Sequence, residues 1–157
     1  MGFSTGFGCR SDVLELSVFV YGTLKPGGRY HQRYCSRALA QSLPAVVKGC
    51  LYDFPRWGYP AMTSGEDWVK GYLLVFCGTA AVCGDILRQL DTLEGVAVDA
   101  NTHEPAQNDG YQRCRQWVFA PNHQPLQKAW TYQMKREQIC QFGGVYLSKG
   151  DWSIPYL

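Results

Sequence analysis

Short runs of β-branched and aromatic residues recur along this 157-residue chain and constrain its fold more than any other feature. Such runs predict β-strands, because these side chains suit a pleated, half-buried surface. Gly22 ends the first run, and Gly71 interrupts the third, where a glycine often marks a bulge or the close approach of another backbone. The five predicted strands cover residues 16–21, 46–54, 68–76, 111–120 and 128–134.

Two segments between these runs show helical periodicity. Thr79 suits a helix N-cap, apolar residues then recur at helical spacing, and Gly95 suits the C-terminal cap. Residues 29–41 place aromatic and small side chains on one stripe and three arginines on another. Five strands with two or three helices in irregular order predict an α+β fold. Because sheet edges need protection, we expect a partly closed sheet or barrel rather than an open one.

Length and composition indicate one globular domain. The chain is 46% hydrophobic and 18% charged, with a net charge of +2, which argues against a nucleic-acid partner. No apolar stretch reaches the roughly 18 residues that span a bilayer, so no membrane partner is expected. Residues 1–12 have no apolar run, so no secretory signal is expected there. Residues 1–14 are predicted to be a flexible N-terminus and residues 15–157 a single domain. We therefore expect a cytoplasmic protein whose oligomeric state the sequence leaves open.

The seven cysteines include no C-x-x-C pair, so zinc-ribbon and thioredoxin spacings are absent. Most lie in apolar or alternating runs, which is typical of small buried side chains in a reduced compartment. His31 and Cys35 are four residues apart and would face one metal ion on a helix, but no third or fourth ligand is evident. The sequence therefore predicts no metal site.

The loop after Tyr21 is the first candidate site. Gly22 would let a ligand approach the backbone, and successive loop amides can face one anion or oxyanion. Lys25 and Arg29 flank this loop and are candidates to hold an anion, although one or two solvated bases beside a loop are common. An ordinary strand-to-helix turn explains the same residues, so both interpretations stay open at this point.

Glu94 is the second candidate, in the last turn of the predicted helix that Gly95 ends. A carboxylate there faces the negative end of the helix dipole, and burial would also disfavour its charged form, so its pKa would rise towards neutrality. A frayed surface carboxylate is the alternative. Asp91, three residues earlier, is either a neighbour of Glu94 or a solvent-facing side chain. The arginines of the 29–41 segment are typical of a solvated helix face rather than a phosphate site.

Seven short motifs are distributed across residues 17–153. The motifs are Val18–Leu24, Gly49–Tyr52, Tyr59–Pro60, Val69–Tyr72, Leu90–Glu94, Tyr111–Arg113 and Gly150–Trp152. In this order they resemble the gamma-glutamylcyclotransferase-like family, most of all its gamma-glutamylamine cyclotransferase branch. The combination of the Tyr-Gly-Thr-Leu, Leu-Asp-x-x-Glu and Tyr-x-Arg elements is specific.

The resemblance implies a small mixed β-barrel flanked by helices and a reaction without a cofactor. The α-amino group of a γ-glutamyl substrate attacks its own γ-carbonyl and releases 5-oxoproline and a free amine, with Glu94 as the general acid/base. The substrate-binding residues that the resemblance implies are Tyr21, Gly22, Thr23, Leu24 and Tyr111.

The interval between Glu94 and Tyr111 is longer than is usual in this family. A loop of this length is often functional, for example as a lid. Because residues 96–110 can reshape the entrance to the site, the resemblance does not identify the amine that leaves. A non-catalytic small-molecule-binding module of the same fold is the alternative function.

Overall fold

The computed structural model describes residues 12–95 and 110–153, which contain six strands and three helices. In chain order the elements are β1 (Leu14–Val20), α1 (His31–Cys35), β2 (Leu39–Phe54), β3 (Tyr59–Gly78), α2 (Ala80–Glu94), β4 (Gln112–Phe119), β5 (Pro125–Gln133), α3 (Arg136–Gln141) and β6 (Val145–Tyr146). All five predicted strands are found, and the sequence patterns did not predict α3 or β6.

The strands form one mixed sheet that closes on itself. Their order is β3-β1-β5-β4-β2-β6, and an additional pairing of β3 with β2 joins the sheet into a ring of five strands. β1 and β5 pair in parallel at Val18 and Trp130, whereas the other pairings are antiparallel. The α+β class is therefore confirmed, and so is the mixed sheet.

The core consists of two buried clusters on opposite faces of the sheet. Val18 and Val20 of β1 belong to the first cluster, together with Ile86 of α2. Phe19, between the two valines, belongs to the second cluster with Val47 of β2. Successive side chains of a strand point to opposite faces, so β1 contributes to both clusters. Packing on α2 fixes the helix against the first face.

Helix α2 has the boundaries that the sequence predicts. The Val82 amide donates a hydrogen bond to the Thr79 hydroxyl over 3.2 Å, and Gly95 has a φ of +73°, the left-handed conformation of a C-terminal cap. Gly71 also has the predicted role: a Cβ atom there would lie 2.2 Å from the Val20 carbonyl oxygen. The backbones of β1 and β3 therefore approach closely where β1 ends.

The predicted helix over residues 29–41 is wrong in its second half. α1 ends at Cys35, Ala38 adopts a φ of +60°, and Leu39 already pairs with Phe76 of β3. The long β2–β3 pairing competes for these residues and prevails over local helical periodicity. Arg37 therefore lies beyond the helix.

Of the predicted buried cysteines, Cys35 and Cys83 lie in the core, but Cys140 is exposed, so burial is wrong for that thiol. The six cysteines within the described ranges are free thiols. Cys9 and nearly all of the predicted flexible segment, residues 1–14, lie outside the described residues, so flexibility stays a prediction. No helix in the described part of the chain combines the length and hydrophobicity that crossing a membrane requires.

Candidate active site

A cavity of about 340 Å³ opens where β1 and α2 end. The loop that follows β1, residues 21–24, forms one side of this cavity and is called the substrate loop below, after the role that the sequence predicts for it. The last turn of α2 forms another side, and Tyr111, directly before β4, lines it as well. The structure thus brings together all of the predicted site residues, namely Tyr21, Gly22, Thr23, Leu24, Glu94 and Tyr111.

The substrate loop is held through its carbonyl groups. The Tyr30 amide donates a hydrogen bond to the Thr23 oxygen over 3.0 Å, and Nδ1 of His31 lies 2.8 Å from the Leu24 oxygen. The amides of Gly22, Thr23 and Leu24, in contrast, donate to no acceptor among the residues that the structure describes. A rigid loop with three such amides beside a cavity can bind a carboxylate or a developing oxyanion.

The structure adds a packing role for Gly22 and gives Lys25 a different role from the expected one. A Cβ atom on Gly22 would lie 2.8 Å from the Pro60 ring, so the glycine is required by packing as well. Lys25 is buried, and its Nζ donates to the Trp152 carbonyl oxygen over 2.7 Å. Lys25 does not line the cavity, so its expected role beside an anion is wrong, whereas Arg29 does line the cavity.

Glu94 is the only carboxylate that lines the cavity among the described residues. Its side chain is half-buried, and within those same residues it has no hydrogen-bond or ion-pair partner. Burial raises the pKa of Glu94 to about 7. A carboxyl group with this pKa takes up and returns a proton near neutral pH, as general acid/base chemistry requires.

The raised pKa of Glu94 predicts a pH-dependent cost in stability. The unfolded pKa is near 4.5 and the folded pKa about 7, so the folded state binds more protons between these values and loses stability as pH rises through them. Glu94→Gln is therefore expected to raise the free energy of unfolding by about 1–3 kcal/mol above pH 7, and by little near pH 4.5. Urea unfolding at pH 5 and pH 8 measures this difference; a gain that is equal at both pH values would contradict it.

Buried tyrosines form much of the remaining wall. The Tyr21 hydroxyl donates to the Tyr132 carbonyl oxygen over 2.6 Å, and the Tyr111 hydroxyl donates to the Pro60 oxygen over 2.5 Å. Burial, followed by smaller effects that include the charge of Glu94, holds the pKa of Tyr21 and Tyr111 well above the usual value. Both phenols therefore stay protonated at neutral pH, and they shape the cavity rather than transfer protons.

Sequence reasoning missed part of the wall. Trp57 and Tyr59 stack with ring centroids 5.7 Å apart and line the cavity with Tyr30 and Tyr132. Tyr59 belongs to the Tyr59–Pro60 motif, which was a usable signal. No sequence pattern distinguished the other three from core aromatics. The predicted lid, residues 96–110, lies outside the described residues apart from Gly110.

Asp91 is a neighbour of the site and not a solvent-facing residue. Its side chain accepts a hydrogen bond from the Tyr132 hydroxyl over 2.7 Å and lies 3.4 Å from Nε of Arg113. Burial raises the pKa of Asp91, and the bond from Tyr132 and the charge of Arg113 act in the opposite direction. The Arg113 guanidinium lies 4.5 Å from the centre of the Trp130 ring. The Leu-Asp-x-x-Glu and Tyr-x-Arg motifs thus meet in one buried ion pair.

Comparison with known protein families identifies the family to which this chain belongs. The chain belongs to the gamma-glutamyl cyclotransferase, AIG2-like family, whose model matches residues 18–154. No curated protein matched the chain in the sequence comparison.

Solved structures resemble the fold of this chain. YkqA from Bacillus subtilis is 20% identical with a TM-score of 0.56, over 88% of this chain and 40% of YkqA. At3g28950.1 from Arabidopsis thaliana is 25% identical with a TM-score of 0.55, over 93% of this chain and 74% of its own. An AIG2-like protein from Mus musculus is 18% identical with a TM-score of 0.50, over 88% of each chain. This chain thus spans less than half of YkqA.

Proposed function

We propose that this protein is a cyclotransferase that converts a γ-glutamyl amide or γ-glutamylamine to 5-oxoproline and a free amine. One observation carries the proposal: a carboxyl group with a pKa of about 7, Glu94, shares a cavity with the amides of residues 22–24. Membership of the gamma-glutamyl cyclotransferase, AIG2-like family supports this chemistry.

In the proposed reaction the substrate supplies both reacting groups. The α-amino nitrogen attacks the γ-carbonyl carbon and forms the ring C–N bond, while the carbonyl π electrons move to oxygen. Ionised Glu94 accepts the proton that the attacking nitrogen loses. The tetrahedral intermediate then re-forms its carbonyl, the bond to the leaving nitrogen breaks, and Glu94 returns the proton to that nitrogen. Atoms and charge balance without water, metal or redox cofactor.

The substrate loop would stabilise the charge that develops on the γ-carbonyl oxygen. Amides that are already oriented need no reorganisation during the reaction, and one such donor contributes roughly 10²–10³-fold. Tyr21 and Tyr111 would line the bound substrate as neutral rings. Because the nucleophile and the carbonyl belong to one molecule, holding the substrate folded supplies a further part of the rate. The free thiols suit a reducing compartment, so we propose the cytoplasm as the location.

A product screen tests this function. The purified protein is incubated with γ-glutamyl-amino acids, γ-glutamylamines and ε-(γ-glutamyl)-lysine, and 5-oxoproline and amine are both quantified. We expect equimolar 5-oxoproline and amine from at least one class of substrate. Saturable binding of these compounds with no 5-oxoproline would instead identify a non-catalytic binding module of the same fold.

A further inference from the structure

We infer that Asp91 is a positioning residue that, with Arg113 and Tyr132, holds the last turn of α2 so that Glu94 faces the substrate loop. This inference rests on the proposed function, because it assigns Glu94 the proton-transfer role. It adds a role for a buried ionic cluster, of which Asp91 and Arg113 do not line the cavity.

The cluster joins α2 to both strands of the β4–β5 hairpin. Asp91 is 5% exposed. Its Oδ1 atom accepts a hydrogen bond from the Tyr132 hydroxyl of β5, and the same oxygen faces Nε of Arg113 on β4. The guanidinium of Arg113 is itself buried and packs on the ring of Trp130. A planar cation held between a carboxylate and an aromatic face has little freedom to move. Asp91 is therefore fixed from two neighbouring strands.

The same hairpin also holds the substrate loop. The Tyr132 carbonyl oxygen accepts the Tyr21 hydroxyl at 2.6 Å, and the Tyr21 oxygen in turn accepts the Met62 amide at 3.2 Å. Tyr132 thus contacts α2 through its side chain and the substrate loop through its backbone. Gly22 follows Tyr21 directly. The two hydrogen bonds of Tyr132, one to Asp91 and one from Tyr21, therefore set the distance between the last turn of α2 and the substrate loop.

Glu94 depends on this anchor because of its place in the helix. It follows Asp91 by three residues, so the two side chains lie on neighbouring positions of one helix face. The next residue, Gly95, leaves the helix in the left-handed conformation, and terminal turns of helices fray easily. The Glu94 carboxylate itself has no hydrogen-bond or ion-pair partner among the described residues. A displacement of about 1 Å at a reacting group can cost roughly 10² in rate.

Glu94 is also surrounded by groups whose ionisation it influences. Its charge raises the pKa of a thiol and four phenols that reach it from α1, the substrate loop, β3, β5 and the residue before β4, and Arg29 lines the same cavity. In order of sequence these groups are Tyr21, Cys35, Tyr59, Tyr111 and Tyr132. All of them stay neutral near pH 7, so a change in the pKa of Glu94 reports its own exposure to water.

Tyr132→Phe tests the inference, because it removes the bond to Asp91 while the ring and the carbonyl bond to Tyr21 remain. NMR titration of the side-chain carboxyl carbon, assigned with Glu94→Gln, gives the pKa of Glu94. We expect this pKa to fall by about 1 as the last turn loosens and water reaches the carboxyl group. On a substrate found by the screen, we expect kcat to fall at least about tenfold and KM to change less than about twofold.

Thr131→Val is the matched control, since Thr131 is the preceding residue of β5 and its buried hydroxyl donates to the Phe19 oxygen over 3.0 Å. It loses one buried hydrogen bond but leaves the cluster intact, so the pKa of Glu94 and kcat should stay near those of the parent. Equal pKa values in Tyr132→Phe and Thr131→Val would overturn the inference. If Tyr132→Phe does not fold, Arg113→Lys, which loses the planar contact with Trp130, replaces it with the same expected direction.

The two proposals fail separately. A parent protein that makes no 5-oxoproline refutes the cyclotransferase activity, but the titration still shows whether Tyr132 holds Glu94 in place. An active parent whose Glu94 pKa is unaffected by Tyr132→Phe keeps the proposed function and refutes the positioning role.

Discussion

Glu94→Gln is expected to lower kcat/KM for formation of 5-oxoproline by about 10²–10⁴-fold. Glutamine has nearly the same size as glutamate but carries no proton that it can exchange at neutral pH. The parent carboxyl group has a pKa of about 7, so kcat/KM of the parent should rise with pH through about 7 as Glu94 ionises. Initial rates of 5-oxoproline release between pH 5.5 and 9 measure both effects.

Glu137→Gln is the matched control, because Glu137 is an exposed glutamate on α3 outside the cavity. Its kcat/KM should equal that of the parent. Calorimetric titration with a substrate should show that Glu94→Gln still binds, since the amides of residues 22–24 are unchanged. Parental turnover in Glu94→Gln would show that another group transfers the proton.

Asp91→Ala is expected to lower the free energy of unfolding by about 3–5 kcal/mol, because it leaves the buried Arg113 guanidinium without its anion. Alanine also removes the acceptor of the Tyr132 hydroxyl. For a chain of this length, such a loss corresponds to a melting temperature lower by roughly 10 °C. Thermal unfolding followed by circular dichroism measures the change.

Asp85→Ala provides the comparison on the same helix. Asp85 contacts Arg37 at 2.6 Å and Arg88 at 3.4 Å, but these pairs are exposed, and exposed ion pairs contribute little. Its melting temperature should therefore stay close to that of the parent. The double variant Asp91→Ala/Arg113→Met should recover most of the stability, because it removes the unpaired charge as well. Equal stability of Asp91→Ala and Asp85→Ala would rule out a structural role for the buried pair.

Features that depend on neighbouring residues could be predicted from the sequence. The limits of α2 follow from Thr79 and Gly95, whose cap geometries are local. The position of Glu94 at the end of α2 follows because Gly95 is the next residue. The strands follow from local composition as well. The loop after Tyr21 was predictable because a glycine-ended strand and a short motif fall together there.

Features that depend on distant residues could not be predicted. Residues 39–41 have helical periodicity, but Leu39 pairs with Phe76, which is 37 positions away, and this pairing decides its conformation. Lys25 seemed free to meet an anion, yet the Trp152 carbonyl oxygen binds it from the other end of the described chain. Burial of Asp91 likewise required knowledge of which strand lies against α2. In each case a long-range contact overrides the local pattern.

Closure of the sheet restricts how another polypeptide can associate with this protein. An open sheet exposes backbone N–H and C=O groups along its edge strands, and those groups can pair with a strand of another chain. Among the described strands, each of the five ring strands has a neighbour on both sides, although β1 and β5 pair only at Val18 and Trp130, and β2 and β4 only at Val46 and Phe119. The terminal strand of the sheet, β6, has only two residues. Within this described part of the chain, the backbone of another polypeptide therefore has easier access to β6 and to the stretches of the β2–β3 hairpin outside the ring than to positions where two ring strands face each other.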